Sequence, residues 1–407
     1  MSIQHPYFIQ KENFTESRMA WADEVLRCQS EAGFIFATPD YVLTGQDKIQ
    51  DVMLSADTGL AEWLTQARQQ LQAVRAQGQT QAIIMGGIPF SNANDVNLML
   101  MKQPEFYQKL LYRGQENTCQ KISLQRTALL PSGEDYQQQV AFLVAEMQKG
   151  TLNKAVLARV LELEFDQPID ISQVFYQLAQ HNADGFSYAV ARDPQQEGWF
   201  VGASPELLIG KRDAQIWSRP VAGTLARADD PIQDQHNAQA LLASSKDQHE
   251  HAVVIEMIAD QLSPFCKSLH IPKQPSLIRT KRLWHLATQI DAELKDPKTH
   301  VFDLVEKLHP TPAICGQPTH VARDLIHQLE PFNRELFAGT MGWADAEGNG
   351  EWSVTVRCAR IQQHTARLFA GAGIVEASQP QAEHAETAAK FRTVLDGFGL
   401  HPCDLQL

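Results

Sequence analysis

Cysteine is scarce in this 407-residue chain: Cys28, Cys119, Cys266, Cys315, Cys358 and Cys403 are scattered, with no C-x-x-C pair among them. That spacing excludes a thiolate zinc site and gives no framework for disulfides, so a reducing cytoplasmic compartment is expected. Runs of Lys or Arg are also missing, and the formal net charge is -13. Nucleic acid and anionic membrane surfaces demand concentrated positive charge and are not expected partners. Any anionic small substrate must be met by a few local cations. The opening MSIQHPYFIQKENF lacks the apolar core of a signal peptide, and no stretch approaches the ~18 apolar residues of a membrane span. With 43% hydrophobic and 20% charged residues, the composition is that of a globular chain able to bury a sizeable core. Neither repeats nor a low-complexity linker divides it, so a single domain over residues 1–407 is the simplest expectation.

What is present centres on Gly371 to Phe391, GAGIVEASQPQAEHAETAAKF. Pro380 suits a first helical turn and Gly397 a stop, which predicts a helix of about four turns. On it Glu383, Glu386 and Lys390 fall at i, i+3 and i+7, one stripe of one face. Ser244 to Glu256, SSKDQHEHAVVIE, repeats the device with Asp247 and Glu250. Acid pairs at this spacing are common on solvated helix faces. Here, however, GAGIV is apolar where an exposed helix would follow a polar loop, and His251 and His384 directly follow Glu250 and Glu383. Two helices that each offer a carboxylate pair, one adding a lysine, suit a hard divalent cation beside an anionic ligand. A di-iron centre wants Glu-x-x-His pairs, which neither segment has, and magnesium fits better.

Along the chain, GFIFATPDYVLTGQD reads as a strand turning at Pro39-Asp40, residues 59 to 77 as a helix and QAIIMGGIPF as a buried strand. Ser91 to Leu124 offers no chemistry. A helix over Asp135 to Met147 closes at Gly150, and KAVLARVLELEF follows as a strand. Asp170 can cap a helix using Ile171, Val174, Phe175 and Leu178. FSYAVA and WFVGASP are strands around an Asp193-Pro194 turn, and ELLIGKRDAQIWSRPVAGT reads as a hairpin. One long helix is expected over Gln235 to Leu262, then strands in SLIRT and LWHLATQIDAEL, then helices over Val301 to Leu308 and Thr319 to Leu329. WSVTVRCAR reads as one strand of the tail, and a hairpin turns at Asn349-Gly350. Antiparallel strands outnumber any βαβ alternation. The fold class is therefore α+β, large antiparallel sheets in a sandwich-like core with helices packed outside.

Several residues have chemical potential in this setting. Lys154 starts its strand after a polar break; buried beside Val156 and Leu157, it would have its pKa lowered by desolvation and become a usable base. Glu206, in GASPELL, follows a turn at Ser204-Pro205; it either caps the next element or, partly buried, keeps a proton it can give to a leaving hydroxyl. Arg357 between apolar neighbours should meet a carboxylate, structural or from a ligand. Gly223-Thr224 and Gly371-Ala372-Gly373 either permit turns or let a ligand approach the backbone. His285 in LWHL reads as a half-buried, satisfied histidine that can bond a substrate hydroxyl or carboxylate.

KAVLAR, GASPELL, RPVAGT, KDQHEH, LWHLATQI, HPTPAICGQPT, VRCAR, AGAGIV and the closing E-x-x-E-x-x-x-K together resemble the chorismate-utilising enzymes, most closely their isochorismate synthase branch. The resemblance covers residues 150–400 in order; residues 1–150 match loosely, through GFIFATPD and IIMGGIPF. It implies a single α+β unit with a central cleft. Glu250 and Glu386 would bind magnesium directly, with Asp247 and Glu383 assisting through its waters. Arg357, Lys390 and the backbone N–H groups of Gly223, Gly371 and Gly373 would hold the chorismate carboxylates. Thr224 and His285 would line the ring, and Ile314, Phe337, Val356 and Phe369 would form its apolar wall. Ammonia-using relatives carry a glutamine at the position of Lys154, or a nucleophilic lysine at that of Ala222. Water is therefore the implied nucleophile, with Lys154 as base and Glu206 as acid. The runner-up is a salicylate synthase, which adds pyruvate elimination; a catalytically silent chorismate-binding subunit is the alternative from another class. Catecholate siderophore supply, a downstream isochorismatase and a monomeric state complete the expectations.

Overall fold

The computed structural model describes residues 33–54, 58–91, 96–108, 122–193, 198–400 and 405. Its strand Lys154–Phe165 is buried over its first eight residues, and only Glu162 and Glu164 near the end break that run. A strand buried on both faces has to lie between two layers.

Among the described residues seventeen strands form one sheet, in which every pairing is antiparallel. One half runs, neighbour to neighbour, through Leu124–Leu130, Lys154–Phe165, Thr365–Ile374, Cys358–Gln362, Gly198–Ser204, Phe186–Asp193 and Phe34–Ala37. Phe34–Ala37 also pairs with Tyr41–Asp51, which opens the other half. That half continues through Asn97–Gln108, Ile83–Ile88, Thr340–Asp345, Gly350–Val354, Leu207–Arg212, Gln215–Arg219, Ile290–Leu294 and Cys266–His270. The main core joins the halves: Phe34, Phe36, Leu157, Tyr188 and Phe200 of the first pack in one cluster with Met85, Leu100, Met341 and Trp343 of the second. A three-stranded sheet of Val221–Ala226, Leu283–Ala287 and Ser276–Arg279 stands apart.

Among the described residues eight α-helices surround the sheets: α1 Leu60–Ala76, α2 Gly133–Gln148, α3 Ile171–Gln180, α4 Pro231–Ala243, α5 Ser245–Leu262, α6 Val301–Leu308, α7 Thr319–Leu329 and α8 Pro380–Leu395. A second core lies on the outer side of the first half, where Leu161, Leu163, Val201, Ile361 and Leu368 meet Val174, Phe175 and Leu178 of α3 and Phe391, Val394 and Leu395 of α8. This is the expected α+β sandwich with helices outside. The Asp170 carboxylate caps α3, accepting from Gln173 N at 3.2 Å.

Four local expectations need correction. The long helix is two, α4 and α5, because Ser244 turns extended and spends its hydroxyl on the N–H of Asp247, 3.2 Å away. The tail hairpin turns with positive φ at Gly348, not Gly350, which already belongs to its strand. Asn349 is held by its side chain instead, accepting from Asp213 N at 2.8 Å and donating to Asp345 at 3.0 Å. WSVTVRCAR is broken at Arg357, whose φ of 52° lies in the left-handed region between Gly350–Val354 and Cys358–Gln362. LWHLATQIDAEL supplies two strands to different sheets, divided at Thr288 and Gln289. The Pro194 side of the Asp193-Pro194 turn, half of Ser91 to Leu124, and Cys28, Cys119 and Cys403 lie outside the described residues. Cys266, Cys315 and Cys358 are free thiols. Among the described residues no helix is long and apolar enough to cross a membrane.

Candidate active site

The strand Lys154–Phe165 pairs with Thr365–Ile374 so that Gly373 stands opposite Val156 and Gly371 opposite Ala158. Lys154 is wholly buried there, and its Nζ lies 2.9 Å from Glu250 Oε1, delivered by α5. Glycine is needed at 373. A Cβ on that residue would stand 2.1 Å from Glu250 Oε1 and 3.1 Å from Lys154 Cε. Burial opposes the Glu250 charge, but Lys154 and then Lys246 hold its carboxyl below the usual range.

Glu206 enters from the crossing between the two halves, after Gly198–Ser204 ends and before Leu207–Arg212 begins. The Ser204 hydroxyl accepts from Glu206 N at 3.1 Å and fixes this turn. Burial pushes the Glu206 carboxyl up to about 7, restrained by a hydrogen bond from the Val221 backbone and by the charges of Arg357, Lys154 and Lys390. A carboxyl in that range still holds a proton near neutrality and can give it up.

Two cations face the same cavity. Lys390 of α8 donates to Gly371 O at 2.7 Å and reaches Glu386 Oε1 at 2.5 Å. Arg357 makes no ion pair among the described residues; burial lowers its pKa while Glu386 and Glu206 counter that. Its left-handed backbone is uncommon for a residue with a side chain, and such strain concentrates at functional sites. Opposite, the ladder skips Gly223 between Ala222 and Thr224, where φ is 81°. Thr224 Oγ1 lies 3.0 Å from Nδ1 of His285, whose pKa burial pulls well down, so the ring is neutral. The apolar wall is built on Phe337 stacked against Phe369 at 5.4 Å, with Ile314 and Val356 beside them.

The four acids of α5 and α8 are each already engaged. Besides Glu250 with Lys154 and Glu386 with Lys390, Glu383 meets Lys246 at 2.8 Å, and Asp247 accepts from the Ser244 hydroxyl. Among the described residues no three acidic, histidine or cysteine side chains are gathered as a metal cluster. The donor set is nonetheless suited to one. It consists of hard carboxylate oxygens in excess over the three lysines, and the crowding is felt: burial and then, among the acids, Glu386 raise Glu383, while burial, Glu250 and Glu386 raise Asp247. Burial works against the charge of Lys246, yet Glu386, Glu383 and Glu250 together raise its pKa. His251 and His384 do not join them: His251 bonds Thr288 at 2.7 Å, and His384 lies near Tyr136 and Gly133.

Glu206, Gly223, Thr224, Glu250, Ile314, Phe337, Val356, Arg357, Phe369, Gly371, Gly373, Glu386 and Lys390 thus line one cavity. Lys154, His285, Asp247 and Glu383 stand behind its wall, the first two each one hydrogen bond from a lining residue. Sequence reasoning missed Val221, Ala313, Ala338 and Ala370, which share the cavity, and Lys246, which a mixed SSKDQHEH run hides among polar neighbours. It also missed a buried pair, Glu330 with Arg334 at 2.6 Å, whose guanidinium holds the carbonyls of Val156 and Ile314 in the cavity wall. An E-x-x-x-R spacing just past the end of α7 was its only signal.

Known proteins resemble this chain in sequence and in fold. Residues 69–399 match the family model described as chorismate binding enzyme. The chain is 38% identical to the isochorismate synthase DhbC of Bacillus subtilis, over 93% of this chain and 96% of that one. It is 36% identical to the vibriobactin-specific isochorismate synthase of Vibrio cholerae, over 85% and 86%. The crystal structure of DhbC from Bacillus anthracis superposes with a TM-score of 0.86 at 36% identity, covering 94% of this chain and 100% of that chain.

Proposed function

The chain belongs to the chorismate-binding enzyme family, and from that premise we propose that it is an isochorismate synthase, moving the hydroxyl of chorismate from C4 to C2 with magnesium as cofactor. The observation that carries the reading is Glu206: a buried acid held up to about 7, facing a cavity with Arg357 and Lys390 on its wall. A dicarboxylate ring lying against those two cations would present its C4 hydroxyl to this acid.

In the proposed reaction Lys154 takes a proton from the water that attacks C2. The ring double bonds shift, and the C4 hydroxyl leaves as water with the proton of Glu206. Lys154 Nζ is held against Glu250 in the arrangement seen; as a neutral amine it can keep one N–H on that carboxylate while its lone pair takes the proton. Arg357 and Lys390 hold the carboxylates, Thr224, oriented by His285, borders the ring, and the Phe337–Phe369 stack excludes water from its apolar face. Magnesium, held by Glu250 and Glu386 with Asp247 and Glu383, would neutralise a substrate carboxylate and fix its orientation.

The vibriobactin-specific relative supports supply of a catecholate siderophore through 2,3-dihydroxybenzoate. The same reading has the enzyme working in the cytoplasm as a monomer whose product passes to an isochorismatase. Product analysis from chorismate and magnesium tests the core of it: isochorismate alone is expected, whereas salicylate with pyruvate would identify the lyase instead. Lys154→Gln and Glu206→Gln should each lose roughly 10² to 10⁴ in turnover with chorismate still bound. Near-normal isochorismate formation by either variant refutes the base and acid roles of these two residues.

A further inference from the structure

The inner cavity has a volume of about 50 Å³, well under the ~300–1,000 Å³ of ordinary small-molecule sites. Beside it lies a cleft of about 850 Å³, between the C-terminal end of α3, the turn Thr280–Arg282 and the strand ending at Arg219. In a chain of net charge -13 this cleft has the opposite sign: Arg219, Arg227, Arg279 and Lys281 line it against the single carboxylate of Asp184. Arg227 is already tied to Asp234 at 2.9 Å. Arg279 is exposed and makes no ion pair among the described residues, and Lys281 donates to His181 at 3.2 Å with Asp396 at 3.6 Å.

Arg219 is the informative member. It is 5% exposed, its guanidinium donates to the carbonyls of Asp184 and Pro205 at 2.7 and 3.1 Å, and its Nε has no partner. A cation so deeply placed is costly without a counter-charge, and among the described residues no carboxylate pairs with it. The cleft also adjoins the inner cavity. Pro205 borders both, and Arg357 faces a narrow neck that shares His181, Asn182, Thr280 and Lys281 with the cleft. Across that neck the turn is strapped down by Arg282, which grips Asp396 at 2.7 and 2.8 Å.

We propose that this cleft is an outer binding site for a small dianionic carboxylate, in which Arg219, Arg279 and Lys281 receive the ligand before it passes the neck to Arg357. The identity of that ligand as substrate or product rests on the isochorismate synthase reading; the existence of the site does not. A cluster of like charge in a low-dielectric cleft raises the local concentration of its counter-ion and with it the association rate.

The test uses the full chain with Arg279→Ala and Lys281→Ala combined, both at exposed positions outside the inner cavity. At low ionic strength kcat/KM for chorismate should fall roughly tenfold, with kcat far less affected, and its salt dependence should flatten. Arg279→Lys with Lys281→Arg should restore both, which loss of a merely structural contact would not. In parallel, chorismate is titrated calorimetrically into the native chain and the double alanine variant with chelator present, so that binding is read without turnover. Loss of a binding event in the variant supports the site even if the native chain makes no isochorismate, an outcome that sinks only the functional reading. Normal turnover with unchanged kcat/KM, unchanged salt slope and unchanged titration in the double variant overturns the site.

Discussion

At the residue scale the acid at position 206 makes the sharpest demands. If protonated Glu206 is the working form, kcat should decline as pH rises through about 7. The same raised value bears on stability. The folded carboxyl holds its proton above the ordinary 4.5, so between about 4.5 and 7 the folded state binds more protons than the unfolded one and stability falls as pH rises. A shift of that size corresponds to roughly 3 kcal/mol above pH 7. Glu206→Gln keeps the shape without the charge, so it should melt above the native chain at about pH 8, with the gap nearly closed at about pH 5. Glu351, also raised by burial to about 7, titrates in both proteins and cancels in the comparison. A melting difference that stays flat across this range removes the assignment. Glu206 and Lys154 were legible in the sequence because each sits at a punctuated strand boundary. The backbone of Arg357 was not, since no glycine or proline marks a residue whose left-handed conformation is imposed by its surroundings.

At the element scale the close approach of one strand to α5 explains why residue 373 has no side chain. Gly373→Ala would drive its new methyl into the Glu250–Lys154 pair. The obstruction is the tip of one side chain, so the sheet should hold while the pair is displaced: turnover should drop by about 10², with a melting loss within the usual range for single substitutions. An active Gly373→Ala enzyme would mean the pair has no part in the chemistry. Helices α6 and α7 could be read from their apolar spacing because proline segments lie on both flanks. The division of α4 from α5 could not, because Ser244 breaks the helix by capping its successor, and serine is otherwise tolerated inside helices.

At the scale of the whole molecule three of the four acids of α5 and α8 are paired with lysines from the protein itself. The fold should therefore not depend on a bound cation. Chelation should abolish turnover, with activity returning on addition of magnesium, while the chelated protein still melts in one cooperative transition. Loss of the cooperative melting transition on chelation would show that the pairs do not substitute for metal, whereas a small fall is only the mass-action stabilisation by the bound ion being removed. The α+β class and the sandwich were legible from the excess of antiparallel signals. The path of a seventeen-strand sheet was not, since Phe34–Ala37 pairs with partners both adjacent and more than a hundred residues away, and such long-range register leaves no local trace.

The ammonium at 154 is rooted in one slab of the sandwich, whereas the carboxyl at 206 hangs from the place where the chain steps across to the other. The gap between the two works like the jaws of a calliper, set by how thickly the interior is filled and not by any flexible rim. Buried residues that never see the ligand, such as Phe200 and Trp352, thereby acquire a say in how fast the ring reacts.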